Sequence, residues 1–259
     1  MRPLCIDLFC GLGGWTEGFL AEGWDVIGFD IERHDYGSGG YPAQLVLQDV
    51  LTIHGKQFRG VTVIVASPPC QEYSYMAMPW SKAKAIEAEY RLGVRDTKKL
   101  TALFDACFRI QREASEAAGR HIPLIVENVR GAQKWVGRSR WNYGSFHFWG
   151  DVPALMPIAK SAKVPGFRFD GSGKSFQTAS VEGMKGIPHK PSGHWTNPTE
   201  NGVKGFTPDG QPLGKNVAAR MSSSGSKARK AASAMIAKIP RPVADHLARV
   251  FDPRRNQSQ

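Results

Sequence analysis

Leu4-Cys5-Ile6-Asp7-Leu8-Phe9 is a short apolar run that enters a turn containing Gly11, Gly13 and Gly14. The pattern predicts a buried strand, a glycine-rich turn, and a short helix through Glu17, Phe19 and Leu20 that ends near Gly23. Residues 25–30 form a second strand closed by the acid Asp30. Residues 61–66 are apolar but for Thr62, as in a strand covered on both faces, and stop at Ser67-Pro68-Pro69. Leu100, Leu103, Phe104, Cys107, Phe108 and Gln111 recur at helical spacing, and residues 122–126 supply another buried strand. Strands alternating with helices imply an α/β protein with a mostly parallel, doubly wound sheet. Such sheets bind ligands beyond the carboxyl ends of their strands.

The 259 residues carry 34 Lys+Arg against 23 Asp+Glu, a formal net charge of +11, and are 41% hydrophobic. That apolar fraction excludes disorder as a description of the whole chain. No run approaches the roughly 18 apolar residues of a membrane span, so no membrane association and a cytoplasmic location are expected. The four cysteines, Cys5, Cys10, Cys70 and Cys107, form no CxxC pair, so neither a zinc ribbon nor a disulfide framework is suggested. Charge is unevenly spread: residues 1–130 hold 14 basic and 16 acidic side chains, residues 131–259 hold 20 and 7. The basic half is either a solvated surface or one that faces a polyanion, whose phosphate contacts release counterions.

Composition also changes after Gly131, with 15 of the 28 glycines and 8 of the 17 prolines in residues 131–225. Short strands such as 145–149 are expected there, separated by turns. Helical spacing returns in 227–251 around Ala231, Met235 and Ile236, then Val243, Leu247 and Val250. The organisation read from this is a catalytic-type α/β half at 1–149, a loop-rich basic insert at 150–225, and a C-terminal helical segment at 226–259 packing back on the first half.

Three stretches carry candidate chemistry. In Asp7-Leu8-Phe9-Cys10-Gly11-Leu12-Gly13-Gly14 the glycines allow close approach of a ligand to the backbone, or serve tight strand–helix packing. Asp30 is placed to accept ribose hydroxyls; Asp49 is placed to accept from an exocyclic amine, or to cap a turn. In Ser67-Pro68-Pro69-Cys70-Gln71-Glu72-Tyr73-Ser74 two prolines stiffen the loop and hold Cys70 at a strand end, where a nucleophile belongs. Val126-Glu127-Asn128-Val129 puts an acid at a buried strand end, where desolvation raises its pKa and suits it to donate a proton.

In order and spacing these stretches resemble the DNA (cytosine-5-)-methyltransferase family, in a compact bacterial or phage-type form, over residues 4–130. The resemblance implies a Rossmann-like methyltransferase fold and S-adenosyl-L-methionine as cofactor. By that likeness Asp7, Phe9, Gly11, Leu12, Gly13 and Gly14 cradle the cofactor, Asp30 holds its ribose and Asp49 its adenine amine, with Ile31, Val50 and Pro69 lining the pocket. Cys70 would be the nucleophile and Glu127 the acid, with Gln71, Ser74 and Asn128 against the substrate. The family's arginine pair has its nearest match in Arg138 and Arg140. Their period-two spacing predicts one face of a strand, contacting either the flipped base or phosphate. Lys238-Ile239-Pro240-Arg241-Pro242-Val243-Ala244 stands where the family has a turn closing the cofactor pocket.

Within 150–225, His189, His194 and Trp195 and nearby lysines are expected to meet DNA; no ligand-rich cluster accompanies the histidines, so no metal is expected. Gly171-Ser172-Gly173-Lys174-Ser175 resembles the end of a phosphate loop, but Arg168 occupies the first glycine position. The function expected is methyl transfer to carbon 5 of cytosine in double-stranded DNA by a monomer, through a cysteine adduct and base flipping. The alternatives are the same chemistry on RNA, or a catalytically silent DNA-binding protein.

Overall fold

The computed structural model describes residues 2–35, 40–70, 73, 80–157, 234 and 237–255. Two units divide the chain: Met1–Ala159 with Lys238–Gln259, and Lys160–Ala237, the latter almost wholly outside the described residues. His189, His194, Trp195, the 171–175 stretch, Gln71 and Ser74 therefore also lie outside them.

The first unit is built on seven strands: β1 (Leu4–Leu8), β2 (Asp25–Asp30), β3 (Gln44–Leu47), β4 (Val63–Ala66), β5 (Leu124–Val129), β6 (Trp141–Tyr143) and β7 (Phe146–Gly150). Their order in the sheet is β3-β2-β1-β4-β5-β7-β6. β1 to β5 pair in parallel, and the β6–β7 hairpin adds β7 antiparallel to β5. The α/β, mostly parallel Rossmann-like sheet expected from the alternation is thus observed. The order reverses between β1 and β4, so a crevice opens beyond their carboxyl ends.

Each face of the sheet carries its own core. On one side α3 (Thr97–Ala118) lays Leu100, Phe104, Cys107 and Ile110 against Ile6, Leu8, Ile64 and Val126. Asp96 caps α3 through Lys98 N, and Gly119 ends it in the left-handed conformation. The helix is longer than its apolar spacing marks, because its first and last turns project into solvent. On the other side α1 (Gly14–Ala21) and α5 (Arg241–Val250) cover Cys5, Val26, Val63, Val65 and Ile125. The two helices approach so closely that a Cβ on Gly18 would stand 2.4 Å from the Cβ of Ala244. The Trp24 indole donates to Ala248 O at 3.1 Å, and Arg249 and Arg255 pair with Glu22. α2 (Trp80–Arg91) and α4 (Gln133–Val136) have weak apolar periodicity and were not marked by the sequence pattern.

Three expectations are corrected. β5 runs on to Val129, so Glu127 lies inside a strand rather than at its end. The parallel partner β4 stops at Ala66 opposite Val126, but β7 continues the ladder through Glu127↔Phe148, Asn128↔His147 and Val129↔Phe146. Arg138 and Arg140 are not on a strand: both are exposed in the loop between α4 and β6, where Arg140 N donates to Phe148 O at 2.8 Å. Val152 and Met156, assigned to the basic insert, pack on the core of the first unit.

Candidate active site

The described candidate residues of the first half gather toward one edge of the sheet, because parallel strands end there together. After β1 the chain turns through Phe9, whose φ of 58° places a bulky residue in the left-handed region. Gly11 follows at φ 49°, and a Cβ there would meet nothing nearer than Phe9 O at 4.0 Å. Its open Cα is the feature a ligand pressed on the backbone requires. Asp30, at the end of β2, ties this turn down: one carboxylate oxygen accepts from Gly11 N at 2.9 Å. The other accepts from Ile31 N at 2.8 Å and Glu32 N at 3.3 Å, and meets His34 Nε2 at 3.3 Å. Beside it Ile31 is 73% exposed, an apolar side chain with no protein cover.

After β3, Asp49 caps the 3-10 turn Val50–Thr52, accepting from Leu51 N at 2.9 Å. Val50 is corrected: it is buried in the core beneath α3, so its side chain lines no open pocket, whereas Leu51 beside it is half exposed. Leu12 is also buried. Gly14 serves packing, since a Cβ there would stand 2.5 Å from Ile239 N. The strap before α5 therefore closes against the glycine turn, and Ile239 is buried there rather than exposed to a ligand.

Beneath the turn sits Asp7, fully buried and bonded through one oxygen to the Thr16 hydroxyl at 2.7 Å. Thr16 shares a short hydrogen bond with the Tyr41 hydroxyl. The second oxygen of Asp7 has no partner among the described residues. Burial pushes Asp7 up to about 8, with the Thr16 bond opposing and the Asp30 charge adding to the rise.

Beyond β4, Cys70 is partly buried in a loop held from several sides. Tyr73 N donates to Cys70 O at 3.0 Å, and the Tyr73 hydroxyl donates to Leu100 O at 2.7 Å. Asn128 donates to Pro68 O at 2.9 Å and accepts from Val129 N at 2.8 Å. It is 1% exposed, so it clamps the Cys70 loop from behind in place of the substrate contact expected of it. Pro69 is exposed at the mouth of the crevice.

Glu127 is buried beside this loop. Desolvation pushes its carboxyl up to about 8, while the neighbouring Ser67 hydroxyl opposes the rise. Burial raises the Cys70 thiol, and the nearby Glu127 charge raises it further against a backbone hydrogen bond. The arrangement joins a thiol and a neutral-leaning carboxyl, the pair that covalent attack on an electrophilic ring needs. Among the described residues no group of three His, Cys, Asp or Glu side chains could hold a metal, and no helix is long and apolar enough to cross a membrane.

The sequence reading overlooked a surface on this same edge. Crossover helices start where parallel strands end, so the beginning of α3 stands beside Tyr73 and hence beside Cys70. All of residues 91–99 are exposed, including Leu92, Val94, Arg91, Arg95, Lys98 and Lys99. Averaging charge over half the chain hid this basic stretch; a shorter window would have found it.

The fold and site define a doubly wound α/β domain in which a cysteine beyond β4 lies near a buried glutamate of β5. The profile of the C-5 cytosine-specific DNA methylases matches residues 4–135, just over half of the chain, and the protein belongs to that family. Solved structures that resemble it include a protein described as a DNA modification methyltransferase encoded within a prophage (E. coli), with 23% identity and TM-score 0.34 over 52% of this chain and 35% of that one. Others are the Entamoeba histolytica methyltransferase EhMeth, at 18% identity and TM-score 0.34 over 53% and 41%, and the S. pombe Dnmt2 methyltransferase, at 14% identity and TM-score 0.34 over 53% and 37%. The chain thus spans less than half the length of each. No curated protein matches it significantly.

Proposed function

We propose that the protein methylates carbon 5 of cytosine in double-stranded DNA, using S-adenosyl-L-methionine, through a covalent adduct at Cys70. The observation that carries this reading is the desolvated Glu127 carboxyl next to the Cys70 thiol at the crevice edge. The donor set fits the cofactor: an open Gly11 backbone, the acids Asp30 and Asp49, exposed apolar Ile31 and Leu51, and a buried Asp7 with an unpartnered oxygen. Phe9, Gly11, Gly13, Asp30, Ile31 and Asp49 would hold it, and when bound it supplies an electrophilic methyl group.

The chain's own residues then account for the rest. The Cys70 thiolate bonds to ring carbon 6, and Glu127 gives its proton to ring nitrogen 3, so the electrons pushed in from sulfur make carbon 5 nucleophilic. Once carbon 5 is methylated, its proton leaves to water, the carbon–sulfur bond breaks, and the nitrogen 3 proton returns to Glu127. Asn128 and Tyr73 hold the loop so that the thiol does not drift from this position. In a duplex the base must first leave the stack, at a cost of a few kcal/mol. Phosphate contacts from Arg91, Arg95, Lys98 and Lys99 and from the basic region 150–225 offset it. Arg138 and Arg140, exposed in a loop, suit phosphate contact. In this reading the middle region, past the residues near 152–156 that pack on the first unit, selects the target, and the molecule acts as a monomer.

The test is methyl incorporation from labelled S-adenosyl-L-methionine into duplex DNA and into tRNA, offered separately and in competition. Labelled 5-methylcytosine in DNA, lost in Cys70→Ser, is expected, as is covalent capture by fluorocytosine DNA. Undiminished transfer by Cys70→Ser refutes the covalent route, and a preference for tRNA refutes DNA as substrate.

A further inference from the structure

The first turn of α1 is tied to the sheet at two points. Beyond β4 the Trp15 indole donates to Ser67 Oγ at 3.0 Å, and on β1 the Thr16 hydroxyl donates to Asp7 at 2.7 Å. Thr16 and Asp7 are both fully buried, and Thr16 is in turn joined to the Tyr41 hydroxyl by a short hydrogen bond. Tyr41 opens a strap, residues 41–43, that leads into the edge strand β3. Its ring lies on the backbone of β2, where a Cβ on Gly28 would collide with it. Pro42 covers Gly13, whose Cβ would stand 2.7 Å from the proline Cδ, and Ala43 packs on the core of the α1 side. Among the described residues no helix covers this crossover, and Tyr41 fills the hollow that Gly28 leaves.

We propose that Tyr41 is a positioning residue for the cofactor: its hydroxyl pins the strap to α1 and so holds Gly13 and β3 in the arrangement that binds S-adenosyl-L-methionine. This rests on the reading of the crevice as that cofactor's site. The Thr16 hydroxyl has one hydrogen and gives it to Asp7, so the bond between Thr16 and Tyr41 takes its hydrogen from Tyr41. The chain of donors therefore runs one way, from Tyr41 through Thr16 to Asp7, and joins strap, helix and first strand. Burial pushes the Tyr41 phenol up, which keeps the donated hydrogen in place.

The strap matters because β3 has little else to hold it. The strand is four residues long, none of them fully buried, and it pairs with β2 alone. Asp49 and Leu51 follow directly after it, and Gly13 starts α1 without a side-chain cap. Other ties nearby do not reach the strap: Asp30 holds Gly11 N, and Lys238 pairs with Glu17. With the pin cut, strap, Gly13 and the Asp49 turn sample arrangements that do not bind, and apparent affinity falls in proportion to the competent fraction.

The experiment is calorimetric titration of S-adenosyl-L-methionine into full-length wild type, Tyr41→Phe, Thr16→Ser, Thr16→Val and the Thr16→Val, Tyr41→Phe double variant, with amide hydrogen exchange on the same proteins without cofactor. Tyr41→Phe keeps the ring over Gly28 and removes only the hydroxyl. It is expected to weaken binding by about threefold to tenfold and to speed exchange in β3 but not in α3. Thr16→Ser, which keeps the hydroxyl, retains the affinity of wild type. In the Thr16→Val background Tyr41→Phe adds nothing, because the chain is already cut. In methyl transfer Tyr41→Phe raises the cofactor's KM more than it lowers kcat, a split that a general loss of folded protein does not produce. A folded Tyr41→Phe that binds the cofactor as wild type does overturns the proposal and leaves the cofactor reading intact. A wild type that binds no cofactor overturns both.

Discussion

Replacing Glu127 by Gln leaves shape and volume almost unchanged and removes a buried titrating group. Its folded-state pKa of about 8 lies above the ordinary value of 4.5 because burial disfavours the charge. Between those values the folded protein holds more protons at this site than the unfolded chain. Stability must therefore fall as pH rises through that window and level off above the folded value. The difference between about 8 and 4.5 corresponds to about 5 kcal/mol lost by pH 8.5, of which about 3 kcal/mol is gone at pH 7. Urea unfolding of wild type and Glu127→Gln across pH 5 to 8.5 reads the effect directly. The variant is expected to gain on wild type steadily with pH, since amide and acid differ little while the acid is neutral. Asp7 titrates in the same region, pushed to about 8, but it is present in both proteins and cancels. A constant difference across the range refutes the reasoning, because it means that Glu127 ionises as though solvated.

Glu127→Gln also removes the charge that raises the Cys70 thiol. The pH dependence of iodoacetamide alkylation at Cys70 is expected to shift to lower pH in the variant; an unchanged profile contradicts the proximity of the two groups. Gly18→Ala puts a Cβ 2.4 Å from the Ala244 Cβ, between two packed helices. The expected cost is about 1–3 kcal/mol in urea unfolding, well above that of the exposed Arg249→Ala. Lys98→Glu with Lys99→Glu should weaken duplex binding and flatten its salt dependence by about two phosphate contacts. Circular dichroism unchanged from wild type would mark that as a surface effect, and an unaltered salt slope would remove α3 from the interface.

The sequence by itself determined the alternating strands, the glycine turn, and the residues Cys70 and Glu127, for a common reason. Strands buried on both faces carry long apolar runs, so the first polar residue after such a run stands out without any coordinates, even where the strand continues past it as β5 does. Helix limits were less legible, since the outer turns of α3 face solvent and carry no apolar period. What only the tertiary structure decided is how side chains are used. Asn128 looked like a substrate contact, yet the β5–β7 ladder buries it against the Cys70 loop. Val50 looked like pocket lining but sits under α3. Gly14 looked like part of a ligand cradle, but the strap at Ile239, more than two hundred residues away in sequence, makes a side chain impossible there. Ser67 and Trp15 carried no signal at all, because a hydrogen bond between strand end and helix start depends on register and packing, and periodicity encodes neither.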